Sequence, residues 1–171
     1  MRLLAILLCF VAMPLQAADV YQSPEAFVAE SFDQAAPKAK TLSISGALEA
    51  GMHNIMGGHY KLANTKYWQK DGRSVWILEA IGKYKPITTG FVVGSDGKME
   101  RIKVLIYRES HGWEVKHTFF TRQFKGVGLR DEKKLDEFID GIAGATLSVN
   151  ALKKLSALAL LFHREVSAGE T

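Results

Sequence analysis

The spacing of hydrophobic residues in the first third of the chain predicts helices. One helix is expected around Pro24–Phe32 and a second over Leu48–Ile55. The second is expected to end at Gly57-Gly58, because glycine suits the residue after a helix C-terminus. Gly51 lies inside this second helix, where glycine is unfavourable, and therefore weakens the prediction.

From Lys66 onward the pattern changes to runs rich in β-branched and aromatic residues. These runs predict strands at Lys66–Gln69, Ser74–Gly82, Ile87–Val93 and Ile102–Tyr107. Asp-Gly pairs at 71–72 and 96–97 separate neighbouring strands and favour tight hairpin turns. In the last strand Ile102, Val104 and Ile106 alternate with other residues and are expected to share one face.

The C-terminal third returns to helical spacing. Asp131–Ile139 is predicted as a short amphipathic helix with Leu135, Phe138 and Ile139 on one side. A longer helix is predicted over Val149–Val166. The predicted fold class is therefore α+β, with an antiparallel sheet of about four or more strands packed against helices and a long C-terminal helix.

The N-terminus has the pattern of a secretory signal peptide. A positive Met1-Arg2 start precedes the apolar run Leu3–Val11, and cleavage is expected after Ala17. The run is shorter than the roughly 20 residues of a transmembrane helix. We therefore expect export to the bacterial periplasm or the outer face of the cytoplasmic membrane, with an uncleaved anchor as the alternative.

This reading divides the chain into four parts. They are a signal peptide at 1–17, an N-terminal helix and linker at 18–44, the main domain at 45–166 and a tail at 167–171.

Composition excludes several kinds of chemistry. Cys9 is the single cysteine and would leave with the signal peptide, so thiol chemistry is excluded and a redox role needs a bound cofactor. The formal net charge is +4, and the basic residues are scattered, which disfavours nucleic-acid binding. His53 and His59 lack a third ligand at a suitable spacing, so no metal site is predicted.

The segment 140–148, Asp-Gly-Ile-Ala-Gly-Ala-Thr-Leu-Ser, carries the strongest chemical signal. Its glycines and alanines leave the backbone accessible just before the predicted C-terminal helix. The first N–H groups of a helix lack partners and favour anions, so a phosphate could bind there beside the hydroxyl of Thr146. In the alternative interpretation, Thr146 or Ser148 simply caps the helix.

The run from Asp140 to Thr146 is similar to the attachment motif of the FMN-binding domain family, in which Asp, two variable residues and usually Ser or Thr precede Gly-Ala-Thr. This family includes the FMN-bearing components of the sodium-translocating NADH:quinone reductase and of the related electron-transport complex. The resemblance implies that the hydroxyl of Thr146 carries FMN through a phosphoester bond. It also implies that an exported flavin transferase makes this bond from FAD, and that the neighbouring binding residues are Asp140, Gly144, Ala145, Leu147 and Ser148.

The resemblance extends upstream over roughly residues 45–165. Arg108–Gly112 stands where the family usually has Glu-Thr-Pro-Gly, which implies a role for Glu109, His111 and Gly112 at the cofactor. Phe120–Gly126 resembles the family's Phe-Lys-Gly segment. Candidates for the apolar wall beside the flavin ring are Trp68, Trp76, Trp113, Phe119 and Phe120.

Two residues depart from the family pattern. Ala143 replaces the usual hydroxyl residue, and Ser110-His111 replaces Thr-Pro. These departures leave noncovalent FMN binding open as an alternative to the phosphoester.

The resemblance implies an electron-transfer flavoprotein, or one component of a redox complex, rather than a self-sufficient enzyme. A membrane partner that is quinone-linked or heme-bearing would exchange electrons with it. Two other functions stay open: a structural or interaction module of the same fold, and an exported hydrolase using Ser110 and His111. Adjacent residues seldom place a nucleophile and its base correctly, which disfavours the hydrolase.

Overall fold

The computed structural model describes residues 18–131 and 133–169, so the predicted signal peptide lies outside the described residues. Helices α1 to α4 span Pro24–Ser31, Gly46–Met56, Thr118–Thr121 and Thr146–Ala168. Short 3₁₀ turns occupy Trp113–Lys116 and Arg122–Phe124. The long C-terminal helix is confirmed, and it extends two residues into the segment expected to be a tail.

Strands β1 to β6 form one antiparallel sheet in the order β1-β6-β5-β4-β3-β2. Their bounds are Asp19–Val20, Lys40–Ser43, Asn64–Lys70, Arg73–Ile81, Pro86–Val93 and Met99–Tyr107. A separate hairpin pairs β7, Leu129–Arg130, with β8, Lys134–Leu135. The predicted α+β class is confirmed. The segment 18–44 adds both edge strands of the sheet, β1 and β2, to the helix expected there.

The sheet is covered on both faces. Helix α4 lies on one face, where its buried residues include Leu152, Leu155 and Phe162. Helix α1 covers the other face with the fully buried Phe27, which packs against Gly90 of β5. A Cβ at Gly90 would lie 2.4 Å from the Phe27 ring, so glycine is needed for this close approach.

The alternation expected along β6 is interrupted. Ile102 and Val104 face the α4 side, but Ile106 packs with the α1 side. The pairing register with β5 shifts between Val104 and Ile106, so Leu105 is an extra residue in the strand. A β-bulge of this kind turns the following residues over, and Tyr107 takes the α4-facing position in place of Ile106.

The helix predicted over Asp131–Ile139 is wrong. The β7–β8 hairpin begins this stretch, and residues 136–145 after it contain no helix. Asp136 explains the difference, since its Oδ1 accepts the N–H of Gly128 at 2.7 Å and its Oδ2 contacts Lys98 Nζ at 2.5 Å. These bonds tie the segment to the turn before β6 and to the start of the β7–β8 hairpin. Leu135 and Ile139 are buried as expected, whereas Phe138 is exposed.

A buried polar chain links the sheet to the last turns of α4. Trp76 Nε1 donates to Ser74 Oγ at 2.8 Å, and Ser74 Oγ lies 2.8 Å from His163 Nδ1. With Trp76 donating to it, the Ser74 hydroxyl can donate to an unprotonated Nδ1. Burial lowers the pKa of His163, an effect that the charge of Asp96 opposes. The folded protein therefore favours the neutral imidazole.

This histidine predicts a pH-dependent stability. The unfolded chain takes up a proton near pH 6.5, but the folded chain does so only at lower pH. The contribution of His163 is thus complete above about pH 6.5 and is lost as the pH falls through the lowered value. Denaturant unfolding should give a lower free energy of unfolding at about pH 5.5 than at about pH 7.5, and His163→Asn should make this difference smaller. His117→Asn, at an exposed site, is the control. If it reduced the pH-dependent difference in unfolding free energy equally, the prediction would be contradicted.

Candidate functional site

Helix α4 begins at Thr146, three residues before the predicted start at Val149. Ala145 occupies the N-cap, and no side chain caps this terminus. The interpretation of Thr146 or Ser148 as a helix cap is therefore wrong. Gly144 precedes the start with a φ of 81°, in the left-handed region that suits glycine. The result is an exposed threonine on the first helical residue, beside backbone N–H groups that no side chain satisfies.

Ser148 is buried in the same turn and engaged by Tyr107. The Tyr107 hydroxyl donates to the carbonyl oxygen of His111 at 2.6 Å and lies 2.9 Å from Ser148 Oγ. A tyrosine hydroxyl has a single proton, and a carbonyl can only accept. The proton between Tyr107 and Ser148 is therefore donated by Ser148.

These bonds separate the roles of the two hydroxyls in the turn. Ser148 is 4% exposed and gives its proton to Tyr107, so it is held inside the protein. Thr146 is exposed. A bulky phosphate can reach Thr146 without rearrangement, whereas reaching Ser148 would require breaking a buried hydrogen bond.

The segment Arg108–Gly112, which the resemblance placed at the cofactor, does contact this turn. Gly112 has a φ of 82°, and a Cβ there would lie 2.7 Å from Ser148 Oγ and 3.1 Å from the Tyr107 hydroxyl. The structure thus brings Gly112 and the backbone of His111 against the first turn of α4. The sequence interpretation missed Tyr107, since a tyrosine at the end of a strand has no feature that distinguishes it from a core residue.

The Tyr107 hydroxyl is expected to stabilise this junction. Burial raises its pKa, and the Ser148 bond partly opposes that effect, so it stays protonated near neutral pH. Tyr107→Phe leaves Ser148 and the His111 carbonyl without their partner and should cost about 1–3 kcal/mol in the free energy of unfolding. Urea unfolding measures this. Tyr84→Phe, on an exposed ring, is the control; an equal cost in both would contradict the prediction.

Asp140 is held at the start of the turn by the segment that resembled the family's Phe-Lys-Gly region. Its backbone N–H donates to Oε1 of Gln123 at 2.8 Å. Further along, the N–H of Ala145 bonds the carbonyl of Ile142 at 3.0 Å. The loop from Asp140 to Thr146 is therefore anchored at its start to Gln123 and closed by an internal turn before α4, while its own small side chains leave the backbone accessible.

Glu109 lies between this region and the β4–β5 hairpin. Its Oε1 accepts the backbone N–H groups of Lys83, Tyr84 and Lys85 at 2.5, 2.6 and 2.9 Å. Partial burial raises the pKa of Glu109, but the three N–H groups outweigh it and the pKa lies below its usual value. The carboxylate thus holds the hairpin loop in place, and a direct contact with a cofactor stays a prediction.

An apolar groove of about 540 Å³ runs beside the start of α4. Leu147 and Ile81 are half exposed there, at 50% and 58%. Because Leu147 directly follows Thr146, the groove begins next to the exposed hydroxyl. The described lining residues are Met56, His59, Tyr60, Ala80, Ile81, Gly82, Leu147, Asn150, Ala151, Lys153 and Lys154.

The aromatic residues proposed as a flavin wall divide into two groups. Trp76 and Phe120 are fully buried in the core, and Trp68 packs on the α1 side of the sheet, so these cannot flank a ligand at Thr146. Trp113 and Phe119 are exposed, and the ring of His117 contacts both. Trp113 follows Gly112, which places it near the turn. Leu147, which the resemblance named as a binding residue, lines the groove, whereas Ile81 was not predicted, because a single aliphatic residue in a strand carries no sequence signal.

Three other interpretations can be compared with the structure. Among the described residues, no group of three or more His, Cys, Asp or Glu side chains could hold a metal ion. Ser110 and His111 are exposed, and the hydrogen bond made by His111 uses its backbone carbonyl. In the described part of the chain, no helix is both long and apolar enough to cross a membrane.

Comparison with known proteins identifies the segment that holds these features. Residues 82–160 match the family model described as the FMN-binding domain. This range contains β5, β6, the Tyr107–Gly112 segment, the turn at Asp140–Thr146 and the first 15 of the 23 residues of α4. Searches of curated proteins and of solved structures found no match to the chain.

Proposed function

This chain contains an FMN-binding domain, and we propose that it is an exported electron-transfer protein whose FMN is attached through the phosphate to Oγ1 of Thr146. One observation carries the assignment of the residue. Thr146 is the exposed hydroxyl at an N-terminus that no side chain caps, while the neighbouring Ser148 is buried and bonded to Tyr107.

The residues around Thr146 fit a phosphate. The macrodipole of a helix of 23 residues places partial positive charge at the turn. A Cβ added at Gly144 would meet nothing within 4 Å, so the space in front of the turn is open. A phosphodiester keeps one negative charge, which such a terminus stabilises by about 0.3–1 kcal/mol at an exposed site.

The attachment step balances with FAD as the donor. The Thr146 oxygen would bond to the phosphorus of the FMN half, the bond from that phosphorus to the AMP half would break, and AMP would leave. The hydroxyl proton of Thr146 is released in the exchange. A flavin transferase would supply the catalysis, because the turn itself contains no general base besides the exposed Asp140.

The chain would contribute to redox chemistry by setting the position of the flavin and its exposure to solvent. When bound, FMN accepts and donates one or two electrons. The apolar groove that begins at Leu147 would seat the ring. A covalent attachment keeps the cofactor on an exported protein that cannot replenish it.

Mass spectrometry of the intact protein tests this function. Coexpressed with a flavin transferase in a bacterial host, the mature chain should gain the mass of FMN less one water, and peptide mapping should place it at Thr146. The yellow colour should survive denaturation. Cleavage after Ala17 and recovery from the periplasm would test export in the same preparation. An unmodified chain with no flavin would overturn the proposal.

Noncovalent FMN binding is the second candidate, and one observation favours it. Ala143 stands where the resembling motif has a hydroxyl residue, and it is exposed where a transferase would approach. This alternative predicts colour that is lost on denaturation. Ala143→Ser should then increase the fraction of covalently modified chain.

A further inference from the structure

A second cavity, of about 480 Å³, opens between the β7–β8 hairpin and α4. We call it the basic cavity. Five of its described lining residues are cationic and two, Asp136 and Glu137, are acidic. Asp136 is paired with Lys98, and Arg130 lies 4.0 Å from Asp131, so the excess of positive charge comes from the four lysines of the lining. The described lining residues are Ile55, Arg130, Lys133, Lys134, Leu135, Asp136, Glu137, Phe138, Lys153, Lys154 and Ala157.

The basic cavity also contains an aromatic side chain left in water. Phe138 is 82% exposed, and Lys153 Nζ lies 5.5 Å from the centre of its ring. Apolar atoms of Ile55 and Leu135 line the same space. An exposed aromatic side chain with apolar neighbours and a rim of polar residues is a feature of surfaces that bind other proteins.

The basic cavity adjoins the apolar groove beside Thr146. Lys153 and Lys154 line both spaces. Lys154 Nζ also donates to the carbonyl of Met56 at 3.3 Å, which ties α4 to the end of α2 at this boundary. A molecule in the basic cavity would therefore lie next to the groove in which we place the flavin ring.

We propose that the basic cavity docks an acidic segment, bearing one apolar side chain, of the protein that exchanges electrons with this chain. The inference rests on the proposed function. The segment is expected to be acidic because the lining of the cavity is mainly cationic. Clustered cations also raise the rate at which an acidic partner associates. The concave shape favours a protruding protein segment over a lipid bilayer, whose surface cannot enter a cavity.

Fluorescence anisotropy with a labelled, glutamate-rich synthetic peptide carrying a central leucine tests the docking. The peptide should bind at low ionic strength and weaken as salt is raised. Lys133→Glu with Lys134→Glu should weaken binding about tenfold, as expected for two reversed charges. The matched control, Lys61→Glu with Lys66→Glu, changes the net charge equally at exposed sites outside the cavity and should leave binding unchanged.

A second variant tests the apolar anchor without changing charge. Phe138→Ser, at an exposed position, should weaken the same peptide several-fold, and a glutamine peptide should not bind. No peptide binding, or equal weakening in the cavity and control pairs, would overturn the proposal. So would binding to phosphatidylglycerol vesicles that depends on Lys133 and Lys134 while the peptide fails to bind, since that outcome identifies a membrane-facing surface.

The two proposals can fail separately. The peptide titrations are repeated on the Thr146→Ala chain, which lacks the proposed attachment oxygen, and docking should be unchanged there. Flavin attachment is read independently from the intact mass of the wild-type chain.

Discussion

Thr146→Ala is expected to abolish covalent flavin attachment while leaving the fold intact. The side chain is exposed and does not cap α4, so removing it should change the free energy of unfolding by no more than about 0.5 kcal/mol. Ser148 cannot take over, because it is 4% exposed and bonded to Tyr107. The modified fraction, measured from intact mass after coexpression with a transferase, should fall from most of the chain to none.

Two matched variants make this prediction specific. Thr118 is also an exposed threonine on the first residue of a helix, α3, and Thr118→Ala should leave flavin attachment unchanged. Thr146→Ser keeps a hydroxyl at the same place and should keep part of the modification. Modified Thr146→Ala protein would assign the attachment to another residue, and peptide mapping would identify it.

The parts of the fold that follow from local pattern could be predicted from the sequence. The four central strands, the turns at 71–72 and 96–97 and the amphipathic α4 each depend on residues close together in the chain. The edge strand β2 could not be found in this way. It pairs with β3 through backbone groups, and three of its four residues are exposed, so it shows no buried alternation.

In the candidate site, too, the features set by local sequence could be predicted and those set by long-range contacts could not. The small residues before α4 indicated an anion-binding turn, and the motif identified Thr146. Its supports depend on long-range contacts that no local pattern reveals: Tyr107 reaches across 41 positions to Ser148, and Gln123 across 17 to Asp140. The bulge at Leu105 determines that Tyr107 faces α4, and single inserted residues of this kind are not visible as a change in hydrophobic period.

The wrong helix at 131–139 has a related cause. Its apolar spacing fits a helix, but Asp136 bonds Gly128 and Lys98 across the fold, and Asp131 adopts a positive φ of 52° at the hairpin turn. Tertiary hydrogen bonds and a turn together outweigh the modest propensity of a nine-residue segment. The same rearrangement leaves Phe138 in water, where it becomes part of the basic cavity.

Gly112→Ala is expected to be strongly destabilising. The left-handed φ of 82° costs a residue with a Cβ about 1–2 kcal/mol. The new Cβ would also lie 2.7 Å from Ser148 Oγ, and such overpacking costs typically about 1–3 kcal/mol more. Relief of the contact would push the His111–Gly112 segment away from α4. We therefore expect a lower midpoint in urea and a lower modified fraction.

Gly126 supplies the control that separates these two costs. Its φ is 80°, nearly that of Gly112, but a Cβ there would meet nothing within 4 Å. Gly126→Ala should show only the conformational cost, and its flavin attachment should be unaffected. Adding Ser148→Ala to Gly112→Ala removes the clashing oxygen and should recover part of the lost stability. Equal destabilisation by the two single variants would mean that the His111–Gly112 segment does not pack on the first turn of α4. The role we assign to this segment in stabilising the turn would then be wrong.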